Sequence, residues 1–130
     1  MTELPPDVVR LLQAPSTAHI ATLLPDGSPH SAPVWVALEG QYVAFQTSPR
    51  SRKGRNVARD PRVAISLTNR DEPNDSAYLR GRVVDIVEGD EGWAIVDRLS
   101  NKYLGIPYPI REDRAAFLVE VDSAGAFFPR

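Results

Sequence analysis

The segment TSPRSRKGRNVARDPR, residues 47–62, decides how the chain is interpreted. Ser48 is a favourable N-cap residue and Pro49 suits the first turn of a helix, so a helix is predicted to begin there. Pro61 disfavours helical conformation in the residue before it, and the helix is therefore predicted to end at Asp60. The segment predicts the end of a strand, a short helix and the start of another strand.

The same segment concentrates positive charge. Residues 50–62 hold six basic side chains and one acidic one, a net charge of +5, whereas the other 117 residues hold 9 basic and 16 acidic side chains, a net charge of −7. A helix N-terminus adds unpaired N–H groups and a positive dipole end, which favour a bound phosphate. The predicted phosphate ligands are Thr47, Ser48, Ser51, Arg52, Lys53 and Asn56.

Two other interpretations of this charge stay open. Clustered basic residues often form a solvated surface, and they also suit nucleic acid. The overall net charge of −2, the pI of about 5.6 and the absence of interleaved aromatic residues disfavour nucleic acid as a partner.

Composition indicates a single soluble domain over residues 1–130. The chain is 42% hydrophobic and 25% charged, which is ordinary for globular proteins, and it is long enough to bury a core. It contains no cysteine, which excludes disulfides, thiolate nucleophiles and cysteine-based metal sites. No secretory signal and no membrane span is recognised, so a cytoplasmic protein without a membrane partner is expected.

Hydrophobic alternation and turn residues predict a mainly β fold. Pro25-Asp26-Gly27-Ser28 has the composition of a hairpin turn, Gly81 marks a bulge or close approach, and Gly105 suits a helix C-cap. The predicted strands are Ala18–Leu24, Pro33–Leu38, Gln41–Thr47, one after Pro61, Tyr78–Val87 and Ala116–Val121, with a helix over Asp90–Leu104 and a short one near the N-terminus. This pattern predicts a small antiparallel β-barrel of six to seven strands with helical caps.

Several blocks in this order resemble one family. They are Ala21-Thr22-Leu23, residues 25–30, Pro33-Val34-Trp35, residues 47–56, residues 59–63, and Tyr103-Leu104-Gly105 with Pro107-Tyr108-Pro109. Together they resemble the pyridoxamine 5′-phosphate oxidase-like split-barrel flavoproteins, in particular the actinobacterial branch that uses the deazaflavin coenzyme F420. The resemblance extends over nearly the whole chain.

The resemblance implies a homodimer with two cofactor sites at the subunit interface. It places the phosphate at the residues of 47–56 named above. It places the tricyclic ring of the cofactor against Pro33, Val34 and Trp35, with His30 over the cofactor and Tyr78 and Gly81 on the next strand. The tryptophan and Arg-x-His residues that true pyridoxamine-phosphate oxidases carry near the C-terminus are missing, so that particular activity is not expected.

The resulting hypothesis is an F420-dependent oxidoreductase that transfers hydride between the reduced coenzyme and an electron-poor small molecule. No catalytic residue is assigned, because the cofactor performs the difficult step. An FMN-dependent enzyme on the same scaffold and a non-catalytic flavin or F420 carrier remain alternatives. A hydrolytic site at His30 is disfavoured because no G-x-S-x-G motif accompanies it, and His19 and His30 lack carboxylates at metal-ligand spacing.

Overall fold

A computed structural model describes residues 3–127. The elements are α1 (Pro6–Gln13), β1 (Thr17–Leu23), β2 (Pro29–Val34), β3 (Ala37–Glu39), β4 (Tyr42–Thr47), α2 (Arg52–Arg59), β5 (Arg62–Thr68), β6 (Ser76–Val87), α3 (Gly89–Leu104) and β7 (Ala115–Phe127). One domain over residues 1–130 stays a prediction, because residues 1, 2 and 128–130 lie outside the described residues.

The strands form one antiparallel sheet in the order β2-β1-β5-β6-β7-β4-β3. Long strands β6 and β7 lie at its centre, and the short strands β2 and β3 lie at its two edges. The predicted mainly β fold with six to seven antiparallel strands and helical caps is confirmed.

Two predicted strand boundaries were wrong. The second arm of the hairpin runs from Pro29 to Val34 rather than from Pro33 to Leu38. The Asp26 carboxylate accepts hydrogen bonds from the N–H and hydroxyl of Ser28, at 2.9 and 2.5 Å, which closes the turn early. Past Val34 the chain leaves the ladder, and the Val36 N–H donates to the hydroxyl of Tyr103 at 3.3 Å instead.

The last strand is longer than predicted, since β7 continues beyond Val121 to Phe127. Its polar and small residues 122–126 gave no strand signal. They are held in the sheet by pairing with the first half of β6, where Ser76 lies opposite Phe127 and Leu79 opposite Ala124. Tertiary pairing therefore overrides the weak local β-propensity.

The core lies between the curled sheet and the helices. Phe45 and Phe117 stack inside it with ring centroids 5.0 Å apart, and α1 covers one end with its buried face. Helix α3 packs Ile95 and Leu99 on the small residues Ala44 and Ala116 of β4 and β7. Within residues 3–127, none of the three helices combines the length and hydropathy needed to cross a bilayer.

The predictions for Gly81 and Gly105 are confirmed. Gly105 caps α3 with a φ of 78°, in the left-handed region that glycine adopts without strain. The register of β6 and β7 shifts between Arg80 and Gly81, as expected for a bulge. A Cβ on Gly81 would lie 2.1 Å from the carbonyl oxygen of Glu120, so the two strands approach closely there.

Candidate functional site: a cationic cleft with an aromatic wall

A cleft of about 580 Å³ opens where β2 and β4 end and where the N-terminal part of α2 faces the C-terminal end of α3. It is lined by Pro15, Ser16, Thr17, Ala18, Pro33, Val34, Trp35, Gln46, Thr47, Lys53, Arg70, Tyr103, Leu104, Tyr108 and Arg114. The set contains three cations and three large aromatic residues, and it contains no carboxylate.

The cations Lys53, Arg70 and Arg114 have no acidic partner among residues 3–127. Burial, and secondarily the positive charge of Arg114, lowers the pKa of the Lys53 amine. Two polar atoms of the lining, Nε of Arg114 and Oε1 of Gln46, are buried without a hydrogen-bond partner in the described part of the chain. Buried polar atoms of this kind are uncommon in folded proteins and indicate a position where a ligand would supply the missing partner.

The aromatic residues form one wall. Trp35 stacks on Tyr103 with centroids 5.3 Å apart and planes inclined by 9°, and Tyr108 meets Trp35 edge-on at 6.0 Å. The Tyr103 hydroxyl donates to the Ser16 carbonyl at 2.7 Å, and burial raises its pKa. These contacts hold the three aromatic side chains against one another.

Lys102 supports this wall from behind. Its Nζ donates to the carbonyl oxygens of Leu12, at 2.7 Å, and Val36, and lies 5.0 Å from the centroid of the Tyr103 ring. Burial lowers the pKa of this amine to about 8. Lys102 thus connects α1, α3 and the segment between β2 and β3 on which Trp35 lies.

The start of α2 differs from the prediction. The N-cap is Ser51 rather than Ser48, and the helix begins at Arg52 rather than at Pro49. Ser51 Oγ accepts from the Gly54 N–H at 3.1 Å and from the Thr47 hydroxyl at 3.0 Å, and donates to the Ser48 carbonyl at 2.7 Å. The hydroxyls of Thr47 and Ser51, both predicted to bind phosphate, are therefore already used in hydrogen bonds at the helix N-terminus. The predicted end of the helix, with Asp60 as the C-cap, is confirmed.

Ser48 is held by a contact that the neighbouring sequence does not predict. Its hydroxyl donates to Asp113 Oδ2 at 2.6 Å, and Arg50 forms an ion pair with the same carboxylate at 2.7 Å. Asp113 has a φ of 57° and lies just before β7. The loop between β4 and α2 is consequently tied to the start of the last strand.

Asn56 and Arg52 also lie away from the cleft. Asn56 is fully buried, and its Nδ2 donates to Thr22 Oγ1 at 3.0 Å, which fastens α2 to β1. Arg52 is exposed to solvent. Asn56 thus links α2 to β1, and neither Asn56 nor Arg52 belongs to the lining of the cleft.

The positive segment is divided between several roles. Arg59 donates to the carbonyl of Leu23, and Arg62 forms an ion pair with Asp60 at 2.7 Å. Together with Arg50, half of the six basic residues therefore have partners within the protein. Only Lys53 of this group lines the cleft.

Of the twelve predicted cofactor-binding residues, the structure brings Pro33, Val34, Trp35, Thr47 and Lys53 together in the cleft. Seven lie outside its lining: His30, Ser48, Ser51, Arg52, Asn56, Tyr78 and Gly81. His30 lies on β2, opposite Thr22 of β1, and Tyr78 and Gly81 lie on β6. For these residues cofactor contact stays a prediction.

Gln46, Arg70 and Arg114 were not predicted as lining residues, and no site role was predicted for Tyr103 and Tyr108, which also line the cleft. The only sequence signal for Tyr103 and Tyr108 was the resemblance around residues 103–109. Arg114 gave no signal, since it is an isolated basic residue in a polar stretch.

The residues present fit a phosphorylated cofactor with a planar ring. The cleft volume lies in the range of small-molecule sites. Unpaired cations suit an anionic group, and the aromatic side chains of the lining suit contact with a ring system.

The comparisons with known proteins agree with this arrangement. A family model described as pyridoxamine 5′-phosphate oxidase matches residues 4–126. A solved structure described as an F420 reductase is 31% identical, over 94% of this chain and 98% of its own, with a TM-score of 0.81. A comparison with curated proteins gave no match.

Two further structures share the fold at lower identity. A conserved hypothetical protein from Mycobacterium tuberculosis is 22% identical, over 100% of this chain and 91% of its own, with a TM-score of 0.79. General Stress Protein 26 from Bacillus anthracis is 18% identical, over 95% and 93% of the two chains, with a TM-score of 0.72. With the family match over residues 4–126, they confirm the resemblance noted in the sequence: the chain belongs to the pyridoxamine 5′-phosphate oxidase family and has its split-barrel fold.

Proposed function

We propose that the protein is an oxidoreductase that transfers hydride between reduced coenzyme F420 and an electron-poor small molecule. The observation that carries this proposal is the cleft itself, in which cations without acidic partners face a fixed aromatic wall. The family match and the 31% identity to an F420 reductase support redox chemistry with a flavin-type cofactor.

In this proposal the chain binds and orients, and the bound cofactor supplies the hydride-transfer chemistry. Lys53 holds the phosphate end through a charge-assisted hydrogen bond. Trp35, with Pro33 and Val34 beside it, borders the ring and excludes water from its face. Tyr103 is held in place by the hydrogen bonds of its hydroxyl to Ser16 and Val36.

The proton that accompanies hydride transfer comes from solvent or from a hydroxyl of the lining. The hydroxyls of Ser16, Thr47 and Tyr103 already donate to protein oxygens. The hydroxyl of Tyr108 has no hydrogen-bond partner among residues 3–127, which makes it the phenol available for this step.

Titration of the purified protein with F420 and with FMN, followed by fluorescence or calorimetry, tests the proposal. Binding of F420 together with oxidation of its reduced form by an added electron acceptor supports the reductase. Preferential FMN binding supports the flavin-dependent alternative, and F420 binding without turnover supports a carrier. If neither cofactor binds, the proposed function is wrong.

Lys53→Ala should raise the Kd for the cofactor about tenfold or more, because it removes one charge-assisted contact worth about 1.5 kcal/mol or more. The matched control is Arg55→Ala, which removes an exposed cation of the same helix and should leave the Kd unchanged. Calorimetric titration of both variants gives the comparison. Equal affinity of Lys53→Ala and the unchanged protein would remove Lys53 from the site.

We further propose a homodimer that covers the outer face of β6. Tyr78 lies there 58% exposed, against Gly125, where a Cβ would come within 2.6 Å of its hydroxyl oxygen. The ring thus lies flat on the sheet with one face exposed. Exposed aromatic surface of this kind often marks a site of protein–protein contact.

Tyr78→Glu should convert the dimer into a monomer, because an interface over this position would have to desolvate the new carboxylate. Sedimentation velocity measures the change. Ile110→Glu, at a site of similar exposure (53%) in the loop after α3, serves as the control and should leave the mass unchanged. A monomeric unchanged protein would refute the dimer.

A further inference from the structure

Arg114 enters the cleft from the far end of the sequence. β4 pairs with β7 so that Thr47 lies opposite Ala115. The residue just before β7 is therefore placed beside the residues that follow β4, and Arg114 and Lys53 line one cleft although 61 positions separate them. The charge of Arg114 is close enough to disfavour the protonated form of Lys53.

The neighbouring carboxylate does not neutralise this pair. Asp113 adopts a left-handed backbone conformation and gives its oxygens to Ser48 and Arg50, at 2.6 and 2.7 Å. Two like charges thus line one cleft, partly buried, with no acidic residue in the lining. Such an arrangement costs folding free energy and is relieved when an anion binds.

The guanidinium of Arg114 is also oriented. Its central carbon lies 5.1 Å from the centroid of the Tyr108 ring, and its Nε is buried without a partner among residues 3–127. Arginine donates two parallel hydrogen bonds to phosphate oxygens, whereas lysine acts as a point charge. The two side chains therefore offer complementary modes of contact to one phosphate group.

We propose that Lys53 and Arg114 form a two-cation site for a phosphate group, in which Arg114 is the bidentate partner. As a description of cofactor binding, this inference rests on the proposed function. As a description of an anion site, it is independent of redox chemistry and can be tested with an inorganic anion.

Inorganic pyrophosphate should raise the thermal unfolding midpoint of the unchanged protein, and Arg114→Met should abolish this increase. The same variant should weaken binding of F420 or FMN about tenfold or more. Arg114→Lys should retain part of both effects, because it keeps the charge but loses the bidentate geometry. Arg55→Met on the exposed face of α2 is the control and should behave like the unchanged protein.

The ligand-free variant separates a binding role from a structural one. Without the repulsion between the two cations, Arg114→Met should unfold at the same temperature as the unchanged protein or at a higher one. Midpoints measured without ligand that fall by several degrees in both Arg114→Met and Arg114→Lys would show a structural role and overturn the inference. Pyrophosphate and cofactor affinities unchanged in Arg114→Met would also overturn it.

The outcomes for the cofactor and for pyrophosphate are distinguishable. If pyrophosphate binding depends on Arg114 but neither F420 nor FMN binds, the two-cation site stands and the proposed function fails. If a cofactor binds in a manner that depends on Lys53 but not on Arg114, the proposed function stands and the two-cation site is wrong.

Discussion

Replacement of Asp75 by alanine is expected to lower the free energy of unfolding by about 3 kcal/mol. The side chain of Asp75 is only 3% exposed, and its carboxylate accepts two hydrogen bonds from Arg10, both at 2.8 Å, and one from Asn69 at 3.0 Å. Removal of one member of a buried pair costs about 3 to 5 kcal/mol, and the lower value applies because Arg10 is 41% exposed and regains water.

The effect should depend on pH with a defined sign. Hydrogen bonds from Arg10 hold the pKa of the Asp75 carboxyl below its usual value. A carboxyl whose pKa is lower in the folded than in the unfolded protein stabilises the folded state. This stabilisation is complete at pH values above the unfolded pKa of about 3.9, and it declines as the pH falls toward the folded pKa. Denaturant titrations at pH 7 and pH 3 should therefore show a smaller difference between Asp75→Ala and the unchanged protein at the lower pH.

Asp71→Asn is the matched control, because Asp71 is an exposed carboxylate of the same connection between β5 and β6. Its free energy of unfolding should lie within about 0.5 kcal/mol of the unchanged value. A loss below 1 kcal/mol in Asp75→Ala would contradict the assignment. The pair matters for the cleft, because the connection that Asp75 anchors on α1 also carries Arg70.

Features that depend on neighbouring residues could be predicted from the sequence. The hairpin turn at residues 25–28, the glycine C-cap at Gly105 and the end of α2 before Pro61 each follow from the conformational preferences of one or two residues. The order of strands and helices followed from hydrophobic periodicity in the same way.

Features that depend on distant contacts could not be predicted. Ser48 and Ser51 satisfy the local rule for an N-cap equally well, and the contact of Ser48 with Asp113 decides between them. No local pattern indicates that Asp75 is buried and paired, because its partner Arg10 lies 65 residues away.

The residues of the cleft also divide into those that the sequence predicts and those that only distant contacts bring there. Lys53 was found from the clustered charge and the predicted helix N-terminus, and the block Pro33-Val34-Trp35 from the resemblance to a known family. Arg114 becomes a lining residue only through the pairing of β4 with β7. The charge concentrated in residues 50–62 therefore pointed to the right part of the fold, although only one of its cations lines the cleft.

Gly81→Ala is expected to destabilise the protein by about 3 kcal/mol or more, with no ligand involved. Its Cβ would lie 2.1 Å from the carbonyl oxygen of Glu120 and 3.1 Å from Cγ1 of Val119, and the first contact is to backbone that cannot rotate away. Overpacking costs about 1 to 3 kcal/mol, or more where the surroundings cannot adjust, and the central strands β6 and β7 would have to separate here. Chemical denaturation of the ligand-free variant measures the loss.

Gly40→Asn is the control. It distinguishes the steric effect of an added Cβ from the effect of backbone conformation at a glycine. Gly40 has a φ of 63° and nothing within 4 Å of an added Cβ, and asparagine tolerates that region, so the variant should lose at most about 1 kcal/mol. If Gly81→Ala were as stable as Gly40→Asn yet bound the cofactor poorly, Gly81 would contact the ligand, as the family resemblance implies. Destabilisation of the ligand-free protein would instead show that β6 and β7 need a glycine at this position to pair.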